Sequence, residues 1–398
     1  MGYKLFVNRL TAIPRVLFRS LIIGRPKHIV AFLPLLSLLF FYAMSAQATI
    51  DNPYQLLTDQ DYEQRQAVIS ELWQQARSGS FNGVDDVTIV YRALLHSDSN
   101  KAVVIASGRT ETFEQYREVA YNFYQHGYSV YIHDHRGQGY SGRLTDDPEK
   151  GHVDDFNDYV TDLKTFYDSV IAPQQHSLLF LLAHSMGGAI SSLYLQHYPD
   201  DFHAAALSAP MHEVDTGAFG ASACIIAKSA EAVGRVFSSQ SGYLVTQKSY
   251  RPEPFKPNDH TSLTHSRARY EFKEQLMADN PQLRLGGITN RWLIEACKAK
   301  NQIIEHIDRI KVPVLLLQAE LDQVVTARGQ NRFCLALAKS GRGICYSGKP
   351  LVIKGGYHEL LQETDAYRIP ALTAILDFFE SQVAKKSKAA DSPPTSVK

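Results

Sequence analysis

An unbroken apolar run, Leu178 to Leu182, leads directly into Ala183-His184-Ser185-Met186-Gly187-Gly188. The run is short and continuous, which reads as a strand buried on both faces rather than a half-exposed one. Beyond the serine the period changes. Met186, Ala189, Ile190, Leu193 and Tyr194 recur at i, i+3, i+4, i+7 and i+8, the stripe of a helix packed on a core. A buried strand turning sharply into a helix with a serine at the turn is the geometry of a nucleophile elbow. The turn throws the Ser185 hydroxyl clear of the sheet, and the first helical amides lie beside it as donors for an oxyanion. Small residues flank the serine because strand and helix cross closely there. The usual pattern is Gly-x-Ser-x-Gly, and position 183 departs from it by one methyl group.

The surroundings repeat the strand-to-helix rhythm. Strands are expected over Val87 to Leu95, Ala102 to Ala106, Ser129 to Asp134 and Ala204 to Leu207. Helices are expected over about Thr112 to His126 and Asp154 to Ile171. Such alternation indicates a mostly parallel sheet covered on both faces. It stops at Pro210. Residues 211–306 hold helical stretches around a proline-rich link, Arg251 to Pro257, and read as an inserted helical cap. The rhythm resumes with a strand at Val314 to Gln318, a helix near Gly329 to Ala338, a strand at Leu351 to Lys354 and a helix from Ala366 to Val383. The core is thus residues 86–210 and 307–385, preceded by a helical extension at 49–85 and followed by a disordered tail at 386–398.

Charge is unevenly placed. Residues 1–50 hold six Lys/Arg and no acid, leaving 35 basic against 41 acidic residues elsewhere, a net of −6. That argues against a nucleic-acid surface on the folded part. The basic residues precede the apolar run Ile29 to Met44 and a small-x-small site, Ala46-Gln47-Ala48. Residues 1–48 read as a signal peptide, or as an uncleaved inner-membrane anchor with its positive end inside. A basic segment lying on the cytoplasmic face is the third reading. Four cysteines, Cys224, Cys297, Cys334 and Cys345, suit an oxidising compartment. A bridge from Cys334 to Cys345 fits their spacing, and four buried thiols fit equally. No His/Cys spacing suggests a metal site, and the chemistry calls for no cofactor.

A nucleophilic serine needs a base and an acid that orients it, and in open α/β sheets these sit at the carboxyl ends of strands. Val314 to Gln318 runs into Ala319-Glu320-Leu321-Asp322, and Leu351 to Lys354 runs into Gly355-Gly356-Tyr357-His358. Ser185, Asp322 and His358 follow one another in the chain order of α/β-hydrolases. Glu320 is a rival acid, and His135 and His184 are rival histidines. The two oxyanion donors are expected to be the amides of Met186 and Arg109, with Gly108 letting the backbone turn inward.

The blocks Ser107-Gly108-Arg109 with Glu111 and Tyr116, Asp134 to Gly139, Ser141 to Arg143, Gly151 to Val153 with Phe156 to Tyr159, and Ala319 to Asp322 carry a further likeness. From about residue 87 to 380 the chain resembles the serine hydrolases that include monoacylglycerol lipases and bacterial lysophospholipases. The resemblance implies an α/β-hydrolase core with a lid over the serine, acting on one long acyl chain carried by a glycerol-like head. A lysophospholipid is the expected substrate, with a monoacylglycerol lipase or general carboxylesterase as the alternative. Phe219, Ile226, Phe237 and Trp292 either line the acyl cleft or form the cap's own core. In a different class stands a non-catalytic, membrane-tethered binding module. Such a module usually lacks a triad member, and here all three are present. Dehalogenase or epoxide hydrolase chemistry needs an aspartate where Ser185 stands.

Overall fold

A computed structural model describes residues 50–390 apart from 239, 246, 258, 260–262 and 342–344. The leader or anchor expected at 1–48 and the last eight residues, 391–398, lie outside them. In chain order the elements are α1 (Asp59–Gln64), α2 (Gln66–Gln74), β1 (Arg77–Asn82), β2 (Thr88–Leu94), β3 (Lys101–Ala106), α3 (Arg117–Gln125), β4 (Tyr128–His133), α4 (Asn157–Phe166), β5 (Leu178–His184), α5 (Met186–His197) and β6 (Ala204–Ser208). There follow α6 (Ala223–Phe237), α7 (Arg267–Asp279), α8 (Asn290–Glu305), β7 (Val314–Ala319), α9 (Ala327–Ser340), β8 (Leu351–Ile353) and α10 (Asp365–Ala390).

The eight strands form one sheet in the order β1-β2-β4-β3-β5-β6-β7-β8. The β1–β2 and β2–β4 pairs are antiparallel, and every other pair is parallel. The central strands are apolar throughout because helices cover both faces. Along β5, Leu179, Leu181 and Ala183 join one hydrophobic cluster with α4, α5 and α8, while Leu178, Phe180 and Leu182 join another with α3 and α10. This is the two-residue period of a strand split between two cores. Register then places the functional loops. Ala106 pairs with Ala183, and Ala183 with Leu207, so β3, β5 and β6 end at one level. Ala319 pairs with Ile353, which brings the two later loops alongside.

Three boundaries differ from the sequence reading. The extension at 49–85 is not wholly helical, since its polar stretch Arg-Ser-Gly-Ser-Phe-Asn forms the edge strand β1. Ser, Gly and Asn carry little strand propensity, and the strand is made by pairing with β2 and by Phe81 lying on Phe166 at 5.8 Å. Helix α8, placed in the inserted segment from sequence, buries Trp292, Ala296, Ala299 and Ile303 in the same cluster as α5. The part that stands over the site is therefore the stretch before α8. The last helix runs to Ala390, past the expected start of the tail at 386. Both cysteine pairs are bridged, Cys334 to Cys345 and also Cys224 to Cys297, the second joining α6 to α8. Among the described residues no helix is long and apolar enough to cross a membrane.

Candidate active site

Ser185 sits between β5 and α5 with φ 49° and ψ −117°, a conformation side chains rarely adopt. The fold holds it there from both sides. Its amide donates to the Ser208 carbonyl at 3.1 Å, and its own carbonyl accepts the Met211 amide at 2.8 Å. Gly187 and Gly188 are sterically required. A Cβ on Gly187 would stand 2.1 Å from the Ala106 carbonyl oxygen, and one on Gly188 would stand 2.5 Å from Pro210. Ala183 is tolerated as a fully buried residue in the last pair between β5 and β3.

The loops after β7 and β8 bring the other two residues in. The Ser185 hydroxyl lies 2.8 Å from His358 Nε2, where it donates to the neutral imidazole. His358 Nδ1 donates to Asp322 Oδ2 at 2.7 Å. The other Asp322 oxygen accepts the amides of Val324 and Val325 at 2.8 and 3.1 Å. Burial alone would raise the Asp322 pKa, but the adjacent His358 and these amides together pull it below the usual carboxylate range. An ionised Asp322 holds the imidazole tautomer whose Nε2 accepts the serine proton. The rivals have other duties. Glu320 is exposed and accepts the Gly355 amide, and His135 faces the Ser107 carbonyl at 3.1 Å.

The loop after β3 is held by the Asp134 to Gly139 turn. Asp134 accepts the amides of Phe113 and Tyr140, both at 2.7 Å, and the Thr112 hydroxyl at 3.0 Å. Gly139, at φ +57°, is needed because a Cβ would strike the Asp134 carboxylate. Gln138 then donates to the carbonyls of Gly108 and Glu111 at 2.8 and 2.9 Å. Glu111 accepts the Gly108 amide and, at 2.7 Å, the Tyr116 hydroxyl. The loop is thus gripped at the Gly108 amide and at the carbonyls of Ser107, Gly108 and Glu111. Neither the Arg109 amide nor the Met186 amide has a partner among the described residues. Met186 follows Ser185 directly in the chain, and Arg109 lines the same cavity.

Behind the triad lies a charged cluster that sequence reasoning did not assemble. His184 Nε2 is 3.3 Å from Glu359, its Nδ1 is 3.2 Å from the Ser208 carbonyl, and its ring is 4.8 Å from that of His358. Burial opposes protonation of His184, but Glu359 and Glu111 outweigh it and push the pKa up to about 9. Burial and Glu359 push Glu111 up to about 7. Burial works against ionisation of Glu359 too, yet His184 holds it below its ordinary range. Ligand atoms of Glu111, His184 and Glu359 lie within 4.8 Å of one another, the spacing of a potential metal site. They are engaged with one another and with the Gly108 amide, Tyr116 and the Ser208 carbonyl, so they are satisfied as a structural charge cluster.

A cavity of about 890 Å³ opens on Ser185, lined by Arg109, Met186 and mostly apolar groups, among them Met211, Leu244, Ile288 and Val325. Of the four candidates for substrate contact, Phe219, Ile226 and Trp292 line it. Phe237 does not, and is 85 % exposed. It lies on nearly the same helix face as Ile226, but three turns further along, about 16 Å at the rise of an α-helix, which carries it past the cavity. Met211 and Leu244 were not legible in advance, for each lies in a short irregular stretch with no period.

Fold and site together define a serine hydrolase of the α/β-hydrolase fold. Residues 97–365 match the family model described as serine aminopeptidase, S33. The chain is 42 % identical over 311 residues to lysophospholipase L2 of Escherichia coli strain K12, covering 78 % of this chain and 89 % of that protein. It is 31 % identical over 303 residues to the probable lysophospholipase L2 of Haemophilus influenzae, covering 76 % and 91 %. A soluble variant of monoglyceride lipase from Saccharomyces cerevisiae shares the fold, with TM-score 0.59, 17 % identity, and coverage of 77 % of this chain and 95 % of that one. The chain belongs to the lysophospholipase and monoglyceride lipase family of α/β-hydrolases.

Proposed function

We propose that the protein hydrolyses the single acyl ester of lysophospholipids, releasing a fatty acid and the glycerophospho alcohol. The observation that carries this reading is the mostly apolar cavity opening on a hydrogen-bonded Ser185–His358–Asp322 array, in a chain closely related to named lysophospholipases. His358 Nε2 takes the proton of Ser185 as its oxygen attacks the ester carbonyl. The tetrahedral oxyanion is met by the amides of Met186 and Arg109. Collapse breaks the ester C–O bond, and the imidazolium returns the proton to the departing alcohol. Water then repeats the sequence on the acyl-serine, freeing the fatty acid. A cavity walled by the cap keeps the acyl chain out of water.

Hydrolysis of monoacylglycerol is the second reading, favoured by monoglyceride lipase relatives such as the human enzyme, 26 % identical over 266 residues. Purified protein assayed on lysophosphatidylethanolamine, monoacylglycerol and short p-nitrophenyl esters separates the readings. The expected result is turnover of lysophospholipid that falls at least 10⁴-fold in Ser185→Ala, together with loss of fluorophosphonate labelling, as about that loss follows removal of a triad member. Turnover of short esters alone overturns the lipid reading.

The protein is further proposed to act at a membrane after export. Ile225, Val233, Val236 and Phe237, 62–85 % exposed, lie on the solvent side of α6, the helix whose Ile226 lines the cavity. An apolar helix face of this kind suits the lipid surface from which a lysolipid is drawn. The two disulfides and the basic-then-apolar N-terminus support an oxidising location. Mass spectrometry of the mature N-terminus and vesicle sedimentation of Phe237→Ser test these points. Equal binding of mutant and wild type would remove α6 from the membrane contact.

A further inference from the structure

Arg109 contributes more to the cavity than its amide. The residue is part-buried in the same cavity wall as Ser185 and Met186, and among the described residues its side chain has no carboxylate partner. Among the described residues its single hydrogen bond runs from Nη1 to the Gly286 carbonyl at 2.8 Å. A guanidinium carries five donors, so most of this one is unanswered. The other buried arginines are treated differently. Arg136 is paired with Asp162 at 2.6 Å, and Arg269 and Arg368 are paired with Glu118, each at 2.8 Å. Arg143 donates to the carbonyls of Gly137, Gly139 and Gln282. The one acid in the cavity lining, Asp215, sits exposed at the rim, caps the Gly217 amide, and makes no ion pair with Arg109.

The space for the side chain is made by glycine. A Cβ on Gly151 would stand 3.2 Å from Arg109 Nη1, so any larger residue there would crowd the guanidinium. The residue is also held in place from its backbone, because the loop carrying it is clamped by Gln138 and Glu111. Desolvation lowers the Arg109 pKa to about 10, which leaves it cationic at neutral pH. A cation kept charged, partly dehydrated and, among the described residues, without a counter-ion in the lining of the Ser185 cavity is poised for an anionic ligand.

We propose that the Arg109 guanidinium is the anchor for the head-group phosphodiester of the substrate, while the amide of the same residue serves the ester oxyanion. This rests on the lysophospholipid reading. From the ester oxygen to phosphorus a 1-acyl lysophospholipid runs about five bonds, comparable in length with the arginine side chain itself. One residue can therefore span both groups. Monoacylglycerol has no such anion and leaves the guanidinium desolvated and unpaired, so Arg109 biases the enzyme toward phosphate-bearing substrates.

The test compares kcat/KM for 1-oleoyl-lysophosphatidylethanolamine with that for 1-oleoylglycerol in wild type, Arg109→Met and Arg109→Lys, all of which keep the main-chain amide. The ratio is expected to fall at least about 30-fold in Arg109→Met, the scale of removing one partner of a desolvated charge pair, and less in Arg109→Lys. Fluorophosphonate labelling reports whether each variant retains a folded site. An independent measurement on the wild type uses p-nitrophenyl butyrate turnover. sn-Glycerol 3-phosphate should compete with it and glycerol should not, and Arg109→Lys should weaken the competition. Equal losses on both oleoyl substrates, or no competition by glycerophosphate in the wild type, overturn the anchor while lysophospholipid turnover leaves the functional reading standing. A wild type that cleaves only the monoacylglycerol overturns both.

Discussion

Helices α5 and α6 are of similar length and have opposite surroundings. Eleven of the twelve residues of α5 are buried, from Met186 to Gln196. In α6 only Ala223, Ala227 and Glu231 of fifteen are buried, and its apolar face looks outward. The first helix holds a strained serine, which persists only where the surrounding structure over-determines it. The second forms a wall of the cavity and touches the body through a narrow stripe and one disulfide to α8. The nucleophile is held by the more buried of these helices, and the cavity is walled by the more exposed.

The largest effect should come from the rigid half. Asp322→Asn keeps the loop but removes the charge that selects the His358 tautomer, and kcat is expected to drop by about 10⁴ with little change in Tm. A much smaller drop would mean that the Val324 and Val325 amides, not His358, are the main reason for an acid there. Next come two glycines in the two helices. Gly187→Ala drives a methyl into the carbonyls of Ala106 and Ser107 and should cost about 3 kcal/mol or more. Gly234→Ala in α6 meets nothing within 4 Å and should stabilise by about 0.5–1 kcal/mol through helix propensity. Urea melts of the two variants decide, and similar shifts would erase the contrast.

Cys224→Ser with Cys297→Ser removes the bridge between α6 and α8, which closes a separation of 73 residues. A loss of about 2 kcal/mol is expected, seen in hydrogen exchange as faster opening of α6 with α5 unaffected. Faster exchange in α5 as well would show that the cap supports the core. The smallest effect concerns pH. The folded His184 pKa, about 9, lies above its unfolded value, so the stability it contributes is complete below about pH 6.5 and is lost as pH rises through 9. Tm should decline by a few degrees between pH 7 and 10, and the decline should flatten in His184→Gln. An unchanged slope would mean that His184 is neutral between Glu111 and Glu359.

Much of the site was legible from local pattern. Leu178 to Leu182, the stripe from Met186 to Tyr194, and the placement of Asp322 and His358 just past apolar runs lead to the same three side chains that the structure joins by hydrogen bonds. The cap was legible as helices but not as surfaces. Periodicity indicates that Ile226 and Phe237 share a helix face, and says nothing of where the cavity ends along it. The strand β1 and the core position of α8 escaped for a related reason, since both are decided by what they pair with.

By itself, the sequence determined the strand-to-helix rhythm, the elbow and the order of serine, acid and base. Those follow from side-chain period and turn sterics acting between near neighbours. Tertiary structure alone decided the placing of His184 between Glu111 and Glu359, the grip of Glu111 and Gln138 on the loop after β3, and the lack of an acidic partner for the Arg109 guanidinium among the described residues. These depend on which groups the sheet register brings together and on how much water is removed from them, and neither is encoded at any single stretch of the chain.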